Sequence, residues 1–298
     1  MHRRGRGACI LIAALCASVL APNTPASATS GLAPYKGLGT WIDVYDWSRT
    51  YGTASPLIGP ADVDRMAADG VQTLYVQAAK WDAPTDVVDR DLLVPIIDRA
   101  KAVGIKVVAW YLPALVDPDT DVRRIVAIAH LGVDGVAVDI EARNVSNPDL
   151  RNQRLVGLSR AVRGALPGRA IGAIVLPPVV TEVINPRYWP RFPYRQIAPF
   201  YDVWLPMGYW TNRTQRSGWR DGYRYSTQNV VRLRRDLGRP GAAVHVIGGI
   251  ADRTVPADVG GLRRAAREQH ALGASLYDWH TTTAGLWPYL QPLRAPQT

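Results

Sequence analysis

A chain of 298 residues that is 47% hydrophobic and 20% charged, with 26 glycines and 23 prolines, carries too much apolar material for a disordered or collagen-like protein. Both cysteines, Cys9 and Cys16, lie near the start, so the rest of the chain has no thiol for a nucleophile, a disulfide framework or a thiolate metal site. The formal charge of +10 favours anionic polymers as partners. No basic helix, zinc-finger spacing or ribonucleoprotein aromatic motif accompanies it, so nucleic acid is not an expected partner.

At the start of the chain, Arg3, Arg4 and Arg6 precede an apolar run from Ala8 to Leu20, and Ala26-Ser27-Ala28 has the small residues of a cleavage site. This pattern predicts a secretory signal peptide over residues 1–28, a secreted product, and a folded domain over residues 29–298. The apolar run is shorter than the roughly 20 residues of a membrane span, so no stable membrane insertion is expected. Loss of the leader removes three arginines and no acid, which lowers the charge from +10 to +7.

Beyond it, short β-branched segments bounded by turn residues recur at Trp41–Asp46, Val71–Gln77, Ile105–Tyr111, Asp134–Ile140, Ala170–Leu176, Tyr201–Met207, Ala243–Gly249 and Gly273–Trp279. Their starts are 29 to 42 residues apart, about one strand, loop, helix and loop each. The intervening stretches carry helix signals: Pro60 to Gly70, Leu92 to Gly104 and Val259 to Gly273 each end on a glycine that leads into a strand, as does Gly132-Val133. Alternation of this kind implies a parallel sheet covered by helices. Eight units without a linker-like interruption predict a single (β/α)8 TIM barrel, with a doubly wound open sheet as the alternative. In such barrels the loops after the strands build the site.

The fourth segment reads Val133-Asp134-Gly135-Val136-Ala137-Val138-Asp139-Ile140-Glu141. Alternation places Val136, Val138 and Ile140 on the helix-facing side, and Ala137, Asp139 and Glu141 on the side that points into the barrel. The Cα atoms of Asp139 and Glu141 are then about 6.5 Å apart at the carboxyl end of the strand. Two carboxyls this close resist double ionisation, so one retains a proton near neutral pH and is fitted to general acid catalysis. Glu141, nearer the mouth, is the expected acid, and Asp139 the expected orienting group.

This stretch resembles the Asp-Gly-x-Asp-x-Asp-x-Glu signature on the fourth strand of family 18 glycoside hydrolases, the chitinases and endo-N-acetylglucosaminidases. The matches are Asp134, Gly135, Asp139 and Glu141; Ala137 departs from it, standing where the family has an aspartate. Met207-Gly208-Tyr209 and Trp279 extend the resemblance, whereas Trp210 replaces the aspartate that usually follows the tyrosine. The resemblance implies that Glu141 protonates the glycosidic oxygen, Asp139 orients the substrate N-acetyl group as internal nucleophile, Tyr209 hydrogen-bonds that group and Trp279 floors the sugar site. Ile42-Asp43-Val44 together with Asp139-Ile140-Glu141 more weakly resembles family 25 lysozymes, which implies that Asp43 joins the site.

Ten tryptophans and thirteen tyrosines against two phenylalanines favour rings with a polar edge, which suit a glycan groove. Tyr45, Trp110, Met207, Trp210 and Trp279 are expected to bind substrate with Asp43, Gln77 and Asp278; Lys80 and His280 are further strand-end candidates. The long interval from Trp210 to Tyr225 is expected to wall the groove through Trp219, Arg220 and Tyr223. Residues 29–298 hold four histidines, at 130, 245, 270 and 280, without metal-ligand spacing. No Gly-x-Ser-x-Gly elbow or nucleotide fingerprint occurs, and neither metal nor cofactor is expected. The expected protein is a secreted glycoside hydrolase acting on an N-acetylhexosamine-containing polysaccharide, with cell-wall peptidoglycan as one candidate. The alternative is a lectin-like barrel that binds glycans without cleaving them.

Overall fold

The computed structural model describes residues 31–296, so the expected signal peptide lies outside the described residues. Eight parallel strands close into a barrel in chain order: β1 (Gly37–Ile42), β2 (Thr73–Lys80), β3 (Lys106–Leu112), β4 (Gly135–Ile140), β5 (Ile171–Val175), β6 (Val203–Pro206), β7 (Ala243–Ile250) and β8 (Gly273–Tyr277). Pairing of β1 with β8 completes the ring and excludes the open sheet. Outer helices include Pro60–Ala68, Pro118–Ala129, Pro148–Ala165 and Pro256–Glu268, each with proline in its first turn. There the missing N–H costs no intrahelical bond.

Gly70, Gly104 and Gly132 take φ of +88°, +80° and +76° and turn the chain from helix to strand, a conformation glycine adopts without a Cβ clash. Gly273 does not share this role. It lies within β8, and His270, at φ +47°, is the left-handed residue of that junction.

The first strand differs from expectation, occupying Gly37–Ile42 rather than Trp41–Asp46. Asp43 ends it: its carboxylate accepts from Tyr45 N, and Asp46 accepts from Asp43 N, which caps a one-turn helix at Val44–Trp47. The glycines that disguise β1 are required by packing. A Cβ on Gly39 would stand 2.7 Å from a ring carbon of Tyr75. Gly39→Ala is therefore expected to destabilise the fold by about 1–3 kcal/mol through overpacking, measured as a fall in the urea midpoint.

Aromatic groups fill the barrel interior below the mouth. Tyr35, from the turn Ala33–Tyr35, closes the amino-terminal end and donates to Val136 O at 2.6 Å. Gly135 and Gly172 make room for it. Above it, Tyr75 stacks on Trp41 with ring centroids 4.2 Å apart. Trp41 Nε1 donates to Ser275 Oγ at 2.8 Å, and His245 Nε2 lies 3.1 Å from the same oxygen. Burial lowers His245 to about 4, so its ring is neutral at pH 7. This packed floor leaves the carboxyl ends of the strands as the open side of the barrel.

Candidate active site

On β4, Gly135, Ala137 and Asp139 point inward; Ala137 is in register with Trp110 on β3 and Gly172 on β5. Glu141 follows directly after the strand. Asp134 lies at the outer start of β4, where it accepts from Val107 N and pairs with Lys106. Its part in the motif is to hold β3 against β4.

Asp139 and Glu141 open into a pocket of about 340 Å³ at the carboxyl ends of the strands. Each of the eight strands, or the loop just after it, contributes a side chain to the lining, from Trp41 on β1 to Tyr277 on β8. Wider clefts of about 730 and 810 Å³ occur on the outside of the barrel. Their carboxylates are tied to arginines: Glu182 to Arg232 at 2.6 Å, and Asp202 to Arg163 at 2.5 Å. Of these three, the smaller pocket is the one whose acids have no cationic partner among the described residues.

The electrostatics of this pocket follow from burial. Asp139 is 6% exposed and its Oδ1 has no hydrogen-bond partner. Burial, and then the negative charge of Glu141, hold it well above the usual carboxylate range. Burial also raises Glu141. The pair therefore binds a proton into a pH range where ordinary carboxyls have lost theirs. The Tyr209 hydroxyl is held well above its usual value by burial and then by Glu141 and Asp139, which keeps it a neutral donor.

A second acid group lies beside the first. Asp43 accepts from Tyr277 OH at 2.7 Å, and ligand atoms of Asp43, Asp46 and Asp278 fall within 4.8 Å of one another. Burial, then Asp43, pushes Asp46 up to about 7. This value exceeds the roughly 4 of an unfolded chain. The associated stability is therefore fully present below about pH 4 and is lost as pH rises through about 7. Asp46→Asn keeps the acceptor for Asp43 N but cannot ionise. Its melting temperature is expected to match the parent's near pH 4 and exceed it at pH 8, by about 2–4 °C per kcal/mol of desolvation and repulsion relieved.

Of the residues singled out in the sequence, Asp43, Tyr45, Gln77, Trp110, Asp139, Glu141, Met207 and Tyr209 all line the pocket, with Lys80 among them. Gln77 is buried, and its Oε1 accepts from Val44 N. Tyr45 stands on the lip, 55% exposed. Lys80 is paired with Asp82 at 2.7 Å.

Four candidates are placed elsewhere. Trp210 is fully buried, packed against Gly248 and Gly249 of β7, because the turn after Tyr209 swings its ring behind the sheet. Trp279 packs on Trp287 at 5.1 Å, outside the pocket lining. Asp278 turns into the acid group and accepts from Thr281 N at 2.9 Å. His280 is exposed and does not line the pocket.

The expected wall after β6 is also corrected. Arg220 pairs with Asp258, Tyr223 donates to Glu268, and Trp219 packs on Tyr225, so all three are directed to the helical layer. Tyr277 takes the pocket position expected of Trp279. It was visible in the sequence as the third inward position of Gly273, Ser275 and Tyr277. Ile174 and Ile247 also line the pocket, and no polar or aromatic signal marks them.

Several solved structures share this barrel. The C-terminal domain of a putative chitinase from Desulfitobacterium hafniense DCB-2 matches with a TM-score of 0.62 at 13% identity, covering 87% of this chain and 98% of that one. A GH18 chitinase from Cycas revoluta in complex with (GlcNAc)3 gives 0.63 at 11% identity, over 86% and 98%. The Bacillus cereus spore cortex-lytic enzyme SleL gives 0.62 at 9% identity, over 87% and 74%. No family model and no curated sequence matches the chain. At these identities the similarity is one of fold.

Proposed function

We propose that this protein is a glycoside hydrolase of the family 18 kind that cleaves N-acetylhexosamine-containing polysaccharides outside the cell, with peptidoglycan glycan strands as one substrate. The observation that carries this reading is the pair of buried Asp139 and half-buried Glu141, without cationic partners among the described residues, opening into an aromatic-lined pocket at the mouth of the barrel. The chitinase and cortex-lytic neighbours support the substrate class through their shared fold. The arginine-rich leader supports export.

The chemistry follows from one proton held between two carboxyls. When substrate enters, its amide N–H donates to Asp139 and stabilises the carboxylate there, which leaves the proton on Glu141. Glu141 passes this proton to the glycosidic oxygen as the C–O bond breaks. The substrate's N-acetyl carbonyl oxygen attacks the anomeric carbon, and ionised Asp139 offsets the positive charge that develops on the amide. Water then adds to the anomeric carbon, returns its proton to Glu141 and restores the acetamido group. Two displacements retain the anomeric configuration.

A digestion panel tests the reading. Purified protein incubated with chitin oligosaccharides, peptidoglycan and cellulose is expected to release reducing ends from the first two only, and NMR of the fresh products to show the retained anomer. Release from cellulose alone, or an inverted product, would sink the assignment.

A further inference from the structure

We propose that Trp110 determines specificity for the sugar's 2-substituent, donating its indole N–H to the carbonyl oxygen of the acetamido group whose N–H goes to Asp139. This rests on the glycosidase reading above and adds a residue to it. Among the side chains that line the pocket, the buried polar atoms without a partner are Trp110 Nε1 and Asp139 Oδ1. Both residues are almost wholly enclosed, Trp110 being 5% exposed. Of the neighbouring donors, Trp41 Nε1 is engaged by Ser275 and the Tyr277 hydroxyl by Asp43, while the Tyr209 hydroxyl, also in the lining, is a second donor open to the same group. At the level of Trp110, the next two strands carry Ala137 and Gly172, and neither side chain can accept a hydrogen bond.

A ligand that fills the pocket must therefore bring an acceptor for Trp110 and a donor for Asp139, since a buried polar group left unmet weakens binding. A secondary amide carries the two on different atoms and serves each protein group separately. An ammonium in its place offers donors alone, and a hydroxyl must serve both groups from one oxygen. The indole N–H on β3 thus favours an acetamido group over the 2-hydroxyl of glucose-type polymers and over the amine of deacetylated ones.

The test uses binding, so that turnover does not enter. In the full chain carrying Glu141→Gln, calorimetry compares an N-acetylglucosamine oligomer with a cello-oligosaccharide of equal length. Adding Trp110→Phe keeps a flat apolar ring and removes the donor. It is expected to weaken the N-acetylated ligand about 10-fold and to leave the cello-oligosaccharide unchanged. A readout without that substitution is the ¹⁵N–¹H indole resonance of Trp110, expected to shift on saturation with the N-acetylated oligomer. An unchanged preference after Trp110→Phe, or a resonance that stays put at saturation, overturns the role of Trp110 alone. A Glu141→Gln protein that binds both oligomers equally overturns the substrate class, and the role of Trp110 with it.

Discussion

Glu141→Gln is expected to lower the rate of reducing-end release by about 10²–10⁴-fold, the usual contribution of a positioned general acid. Gln has the same shape and keeps an acceptor oxygen, so affinity for an N-acetylated oligosaccharide should remain within a few-fold of the parent's. Stability should not fall. Burial raises the folded pKa of Glu141, so the parent loses stability as pH rises through that value, and the neutral amide is free of this loss. Melting temperatures above neutral pH should therefore match or exceed the parent's. Parent-like turnover in the variant would remove Glu141 from the role of proton donor. A parent that binds tightly but releases no reducing ends, even overnight, would identify the barrel as a glycan-binding protein, as the alanine at position 137 would then suggest.

Asp139→Asn should lower kcat by about 10²–10³-fold, the scale of removing a group that stabilises charge developing in the transition state. It should also change the pH profile. In the parent, a second proton on the pair removes the Asp139 carboxylate and limits activity on the acid side. Loss of the last proton limits it on the alkaline side. Asparagine cannot take up or lose a proton, so the acid limb should disappear. The alkaline limb should move to lower pH, because the repulsion shared by the pair is gone. Profiles of kcat/KM measured on a soluble N-acetylated substrate report both limbs. Retention of the acid limb in the variant would show that it belongs to another group, for which Asp46, near 7, is the nearest candidate.

How far the site was legible in the sequence can be followed residue by residue. The pair on β4 was legible because strand alternation is local: once Val136, Val138 and Ile140 face the helices, Asp139 and Glu141 have one direction left. The β1 boundary is not legible locally because Gly37 and Gly39 mimic a turn. Only the ring of Tyr75, brought across from β2, explains why glycine stands at position 39. Trp210 and Trp279 depart from expectation for a related reason. They sit just beyond the strands, where alternation no longer applies and the path of the turn decides which way a ring points.

The sequence by itself determined the eightfold strand and helix repeat, the identity of the open end and the acid pair at its centre, since these follow from period, turn chemistry and neighbours along the chain. Tertiary structure decided which rings meet the pocket, which carboxyls crowd one another and which polar atoms are left without partners. Asp46 owes its raised pKa to burial and to a neighbourhood that includes Asp278, more than two hundred residues away. Trp110 Nε1 and Asp139 Oδ1 are enclosed without partners where side chains from strands around the barrel meet. Such properties depend on distances between remote parts of the chain, and closure of the barrel is what sets those distances.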